Sequence, residues 1–310
     1  MLGWRPRDTG CEMTRSTNQT SNQTSVRLPV FIGVGPPRTA TTWLHEALTG
    51  YVGLPHGVKE TDFFVYNYDK GVEWYAAHFR DCPLDRPFGE FSPNYFVGAQ
   101  PRERIAKDVP GCKIICTLRD PVERLYSHYR KMREGEYFSG SFEECLEKRP
   151  NVIEWSKYAT YVSSWRRLFG AENVLVLIQD DLKANPQDFL NQVCDFIQIP
   201  RIHLADSAVR EKLVNAIPSL PRSPRIARMA RILRDGLQRR RSYAFVNLLK
   251  RTGIRDFVFS GGAAFEPIRP ETDARLREFY RPEVEALEEM LGRDLSAWKE
   301  CRTAIRVHHS

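Results

Sequence analysis

The sequence predicts an α/β domain with a mostly parallel central sheet and helices on both faces. Two observations predict it. Three short runs, at 29–34, 113–118 and 174–178, are almost continuously apolar, as strands covered on both faces are. Between and after these runs come helix signals, and strands that alternate with helices form parallel sheets. The 310 residues are enough for one large domain with a sizeable core, read here as residues 28–300.

The elements come in this order. Residues 1–27 read as a flexible polar tail, rich in Ser, Thr, Asn and Gln, which buries too little apolar surface to offset its ordering entropy. The Asn-x-Thr sequons at Asn18 and Asn22 lie in this tail and read as chance. The first strand runs to Val34, the segment Gly35-Pro36-Pro37-Arg38-Thr39-Ala40 is a loop, and a helix over 41–48 stops near Gly50. The strand 113–118 leads to a helix with Asp120 as N-cap, Pro121 at the first position and Glu123 placed to close a capping box. After the strand 174–178, Asn185-Pro186 opens a helix with Phe189, Leu190, Val193, Phe196 and Ile197 on one face. A long polar helix over 271–291 is expected to be interrupted at Pro282, and Trp298 to anchor back onto the body of the domain. Residues 301–310 form a short tail.

Composition excludes several classes. Hydrophobic residues at 42% and charged residues at 27% are ordinary for a folded soluble chain. No apolar run approaches the ~18 residues of a membrane span, and no secretory signal is visible. Seven scattered cysteines without a CxxC pair favour reduced thiols and a cytoplasmic setting. The net charge of +7 is local: residues 201–260 hold 14 Lys+Arg against 4 Asp+Glu, and the rest hold 32 against 35. That distribution argues against a nucleic-acid partner.

Two stretches carry chemistry. A buried strand that turns into a helix opening on Thr39, Ala40, Thr41 and Thr42 makes an anion cradle from helix amides and hydroxyls, with Arg38 adding a fixed cation. It lacks the Gly-Lys-Ser/Thr of a P-loop, so a kinase is disfavoured while phosphate or sulfate binding survives. A Pro-stiffened turn is the structural alternative. Arg119 at the second strand's end and Ser127 on the next helix could hold another phosphate. Arg124, Ser127 and Lys131 could equally be a solvated helical face. In parallel sheets ligands sit beyond the strands' C-terminal ends, which puts both stretches on one rim. Two anion sites on one rim suit a nucleoside carrying phosphates at both ends.

The segment from Gly35 to Leu44, which includes Pro37 and Trp43, resembles the 5′-phosphosulfate loop of sulfotransferases that use 3′-phosphoadenosine 5′-phosphosulfate (PAPS). Arg119-Asp120-Pro121 with Arg124, Ser127 and Tyr129 resembles that family's 3′-phosphate motif. Lys59-Glu60-Thr61-Asp62-Phe63-Phe64, the stretch through Gly71-Val72-Glu73-Trp74-Tyr75, and Gly89-Glu90-Phe91-Ser92-Pro93-Asn94-Tyr95-Phe96 are similar to the heparan-sulfate-type branch and its bacterial relatives. The resemblance covers roughly 30–200, resumes at 268–298, and is poor over 201–260. It implies a fold akin to P-loop nucleotide kinases, and sulfuryl transfer from PAPS to a hydroxyl or amine with release of 3′-phosphoadenosine 5′-phosphate (PAP), without a metal. Pro37, Arg38, Thr39, Ala40, Thr41, Thr42 and Trp43 would bind the phosphosulfate end, and Arg119 and Ser127 the 3′-phosphate. Glu60 matches the branch's catalytic base, beside the apolar Phe63-Phe64 pair; its bland alternative is a surface carboxylate paired with Lys59. Arg38 stands where the family has Lys and would neutralise developing charge.

Three departures stand out: Ala40 replaces the usual Gly, Phe91 stands where a Lys often serves the acceptor, and Phe259-Ser260-Gly261-Gly262 only loosely matches the late cofactor loop. His56 is the alternative base; His45 and His128 read as structural. Arg222, Arg225, Arg228, Arg231 and Arg234 recur every three residues with apolar residues between them. Residues 222–241 thus read as a basic amphipathic helix, either a solvated face or a contact for a peripheral membrane surface, an acceptor or a partner. The acceptor class stays open between small molecules and carbohydrates. Two rival functions remain, a small-molecule kinase and a non-catalytic anion- or polysaccharide-binding module.

Overall fold

The computed structural model describes residues 27–135, 137–204, 219–221 and 261–301. The polar tail expected over 1–27, save Arg27, the basic helix expected over 222–241, and the tail expected over 301–310, save Cys301, lie outside the described residues. The central sheet has four strands, β1 (Phe31–Gly33), β2 (Gly89–Phe91), β3 (Lys113–Leu118) and β4 (Val174–Ile178). Their order is β2-β1-β3-β4 and every pairing is parallel. The backbone of β5 (Ser219–Pro221) and β6 (Gly261–Ala264) forms a separate antiparallel pair.

The helices are α1 (Thr41–Leu48), α2 (Val72–Ala76), α3 (Ala99–Asp108), α4 (Pro121–Glu134) and α5 (Phe142–Lys148). They continue with α6 (Asn151–Glu154), α7 (Tyr158–Phe169), α8 (Gln179–Ala184), α9 (Pro186–Ile197) and α10 (Pro270–Leu291). Side chains alternate along the strands, so the sheet feeds two cores. Phe31, Ile115, Leu177 and Phe91 face α1, α8 and α9. Ile32, Ile114, Cys116 and Leu118 face α4, α7 and α10. The expected face of α9 is the one that packs: Phe189, Leu190, Val193 and Ile197 are buried, each contributing ~1.5–3 kcal/mol.

Three expectations are corrected. The strand β2, which pairs with β1, carries no apolar run and was not expected. The helix α10 runs unbroken through Pro282, because its missing amide would have met the carbonyl of Glu278 on the exposed face while Leu276, Tyr280, Val284 and Leu287 pack beneath. Arg124 and Ser127 are not a solvated face; both are buried. Trp298 does anchor the end of the fold, edge-on to Tyr158 with its indole N–H on Asp180. Cys82, Cys112, Cys116, Cys145 and Cys194 are buried free thiols. Among the described residues no helix is long and apolar enough to cross a membrane.

The chain leaves β1 for β2 on one side, then returns to β3 on the other. That reversal opens a crevice at the C-terminal ends of β1 and β3, where open α/β sheets bind their ligands.

Candidate active site

Two loops meet at this crevice. The first comes directly after β1. Gly35 crosses the end of β3 so closely that a Cβ would stand 2.5 Å from the Thr117 amide nitrogen. The Thr39 hydroxyl donates to the Pro36 carbonyl at 2.7 Å and lies 2.8 Å from the Thr117 hydroxyl, so it fixes the loop from within. Arg38 and Ala40 both take φ of 79°, the left-handed region that L-residues adopt at a cost. Helix α1 then starts at Thr41 without a side-chain cap, so no N-cap side chain occupies its first amides. Thr41 is buried and Thr42 exposed; Trp43 turns inward and packs edge-on to Phe189, supporting the loop from behind.

Ala40 is the costly position. Ala40→Gly is expected to raise stability by about 1 kcal/mol, read as a higher denaturation midpoint at unchanged slope. An unchanged or lower midpoint would mean that the left-handed turn is unstrained.

The second loop comes after β3. Arg119 grips Glu123 through Nε and a terminal nitrogen at 3.2 and 2.9 Å, so the expected partner of the helix cap serves the arginine. Asp120 caps α4 as expected, accepting from the amides of Val122 and Glu123 at 2.9 and 3.0 Å. Its other oxygen accepts from Arg277 of α10 at 3.1 Å. Burial pushes the Asp120 carboxyl up, and the Arg277 charge opposes it. Buried Arg124 ties α4 to the Ser156 hydroxyl and the Val152 carbonyl at 2.6 and 2.7 Å. The Arg38 Nε–H donates to the Ser127 hydroxyl at 3.0 Å, joining the two loops.

A third element completes the rim. The Lys59 ammonium donates to the Thr42 hydroxyl and to Glu60 Oε1, both at 2.9 Å. The structure thus brings Glu60 to the first loop, with about a third of its side chain exposed. Phe63 and Phe64 are fully buried, packed on Tyr75 and Tyr95. The segment is held by Glu90 of β2, fully buried and missed by sequence reasoning. The hydroxyls of Thr61, Tyr75, Ser92 and Tyr95 donate to its carboxyl at 2.6, 2.7, 2.7 and 3.1 Å. The available signal was a lone acidic residue among Phe88, Phe91 and Tyr95, where burial demands hydroxyl partners.

Asp62 was missed as well. It is left-handed at φ 47°, donates its amide to the Ser92 hydroxyl and accepts from the Asn94 amide at 3.0 Å. Burial, reinforced by the charges of Glu60 and Glu90, pushes its carboxyl up to about 6. Burial lowers His45 to about 4 and His128 to about 3, so both rings are neutral; His128 stacks on Trp155. His56 lines a shallow hollow with His78, Asp81 and Cys82. Phe91 buries its ring against Phe31 and His45 and offers no cation to the rim. The late loop expected near 259–262 lies largely outside the described residues.

Residues 29–217 match the model of the sulfotransferase domain family. The bifunctional heparan sulfate N-deacetylase/N-sulfotransferase 4 of Mus musculus is 29% identical over 203 residues, which are 57% of this chain and 23% of that protein. The human N-deacetylase/N-sulfotransferase 3 is 30% identical over the same shares. This chain therefore spans about a quarter of the length of those relatives. Among solved structures, a sulfotransferase from Alicyclobacillus acidocaldarius superposes with a TM-score of 0.64 at 21% identity, over 89% of this chain and 100% of its own. That likeness is one of fold.

Proposed function

The chain belongs to the sulfotransferase domain family, and on that premise we propose that it moves a sulfuryl group from PAPS to a hydroxyl or amine acceptor and releases PAP. The observation that carries this reading is the crevice itself. Two loops stand at the ends of β1 and β3, bridged by the Arg38–Ser127 hydrogen bond, and the Glu60 carboxylate sits beside the first of them through Lys59.

The residues fit the donor. The uncapped amides of α1 and the hydroxyls of Thr41 and Thr42 suit a phosphosulfate, with Thr39 and Trp43 holding the loop in shape. Arg119 and Ser127 suit a 3′-phosphate, one as a planar fork and one as a hydroxyl. PAPS supplies a sulfuryl group on an anhydride oxygen that departs with the bonding electron pair. Glu60 takes the proton of the acceptor as its oxygen or nitrogen bonds to sulfur. Asp62, Glu90 and Ser92 keep the Glu60 segment in place behind it. The acceptor is a small molecule or a carbohydrate. Phe91 supplies no cation on the acceptor side, which favours an acceptor that is not a polyanion.

Calorimetric titration tests the donor class. PAP is expected to bind more tightly than ADP, and Arg119→Ala to weaken PAP by about 10- to 100-fold through loss of a charge-assisted contact. A preference for ADP would turn the reading toward a kinase. PAP binding that survives loss of Arg119 would favour a non-catalytic anion-binding module.

A further inference from the structure

Glu60 sits on a segment that is held in a costly shape. Two residues on, Asp62 takes φ 47°. Its carbonyl accepts from the Tyr66 amide at 2.9 Å and so starts the helical turn Phe63–Asn67. Three side-chain contacts fasten this segment to β2 and the loop that follows it. The Thr61 hydroxyl donates to Glu90 at 2.6 Å, and the Asp62 amide donates to the Ser92 hydroxyl at 3.3 Å. The Asn94 side-chain amide donates to Asp62 Oδ1 at 3.0 Å. That third contact is the least covered: Thr61, Glu90 and Ser92 are buried, whereas Asp62 and Asn94 are half-buried. Lys59 and Glu60 act on the Asp62 carboxylate from its own segment, Glu90 from β2, and Tyr95 from the turn beyond it. Burial pushes the carboxyl up to about 6 against the Asn94 bond, and the charges of Glu60 and Glu90 add to the rise.

We propose that Asp62 is a positioning residue that works only as a carboxylate. Ionised, it holds Asn94 and keeps the Glu60 segment in its working shape; protonated, it loosens the segment, and transfer slows in mildly acidic solution. This rests on the sulfuryl-transfer reading above. A hydrogen bond to a carboxylate is roughly twice as strong as one to a neutral acceptor. A left-handed backbone at a residue with a Cβ costs about as much as such a bond returns. Halving the bond therefore tips a segment that is close to balance.

Wild type, Asp62→Asn and Asn94→Leu are to be compared from about pH 7.5 to about pH 5.5, on either side of the Asp62 carboxyl. The first readout is hydrolysis of PAPS with water as acceptor. The water oxygen bonds to sulfur, the bond from sulfur to the 5′-phosphate oxygen breaks with its electron pair, and Glu60 takes the proton. The second is calorimetric titration with PAP. The third is hydrogen exchange of the Asp62 and Tyr66 amides, corrected for the intrinsic effect of pH. In wild type, hydrolysis and amide protection should both fall about three- to fivefold over this range, the difference between a charged and a neutral hydrogen bond. PAP affinity should stay within about twofold, since the loosened segment lies on the acceptor side. Asparagine tolerates the left-handed turn and offers Asn94 a neutral acceptor at every pH. Asp62→Asn should therefore stay at the low wild-type level of about pH 5.5 throughout, without a pH step. Asn94→Leu, with no such bond to lose, should be low and level too. A step that persists in Asp62→Asn, or wild-type protection that does not change with pH, overturns the inference. So does Asp62→Asn that binds PAP normally and hydrolyses no PAPS, because Asp62 would then take part in the reaction itself. A wild-type chain that binds neither nucleotide overturns the sulfuryl-transfer reading, and hydrogen exchange still decides whether Asp62 holds the segment.

Discussion

Arg277→Leu is expected to lower stability by about 3–5 kcal/mol, the range for breaking a buried ion pair from one side. Arg277 is 3% exposed, and its guanidinium reaches Asp120 and the Trp298 carbonyl through one nitrogen, at 3.1 and 2.8 Å, and Asp273 through Nε at 2.9 Å. Leucine fills much of the volume but leaves Asp120, 1% exposed, without its cation. A protein of this size should lose about 10 °C in Tm. Asp120 also holds the first amides of α4, directly after Arg119. PAP binding should therefore weaken too, although Arg277 itself comes from a helix outside the matched family region. Replacing Asp120 with Asn in the same chain should recover part of the loss, because a neutral amide needs no buried cation. A loss below about 1 kcal/mol would mean that the cluster is solvated in solution.

The second large effect is on turnover. Glu60→Gln is expected to lower kcat by about 10²- to 10⁴-fold, the usual contribution of a positioned general base. Its affinity for PAP should stay within about twofold, since glutamine keeps the shape and can still pair with Lys59. The measurement is PAP release beside PAP titration on the same preparation. Turnover near wild type would move the base elsewhere, and Asp62, two residues on and pushed up to about 6, becomes the candidate.

Much of the fold was legible because strands buried on both faces write an apolar run, as 113–118 and 174–178 do. Helix starts were legible where the cap is a local device, as at Asp120 and Asn185. The strand β2 was not. It is three residues long and its middle residue is Glu90, whose burial is made tolerable by hydroxyls from 61, 75, 92 and 95 that no local pattern connects. The site was legible in part for the same reason. Arg38, Arg119 and Ser127 come after strand ends, where parallel sheets place ligands. The Lys59 bridge to Thr42 depends on two loops folding toward each other, and Asp62 on a left-handed turn at a non-glycine residue; neither has a sequence signature. Pro282 misled because proline's cost depends on which helix face it occupies, and that face is set by packing.

The all-parallel sheet has a consequence for how the chain reaches this state. Phe31 pairs with Gly89 and with Lys113, and Ile114 with Val174. Neighbouring strands are thus tens of residues apart, and none can zip from a hairpin. Each ladder must first close a long loop, so the search is governed by chain entropy and folding is slow relative to helical domains of equal stability. During synthesis all four strands are complete by residue 178, while the Arg277 that neutralises Asp120 emerges about a hundred residues later. At ~5–20 residues per second the nascent sheet waits several seconds for its last cation. In that interval Asp120 lacks its buried cation, so its carboxylate stays hydrated and the final burial of the α4 start waits for α10.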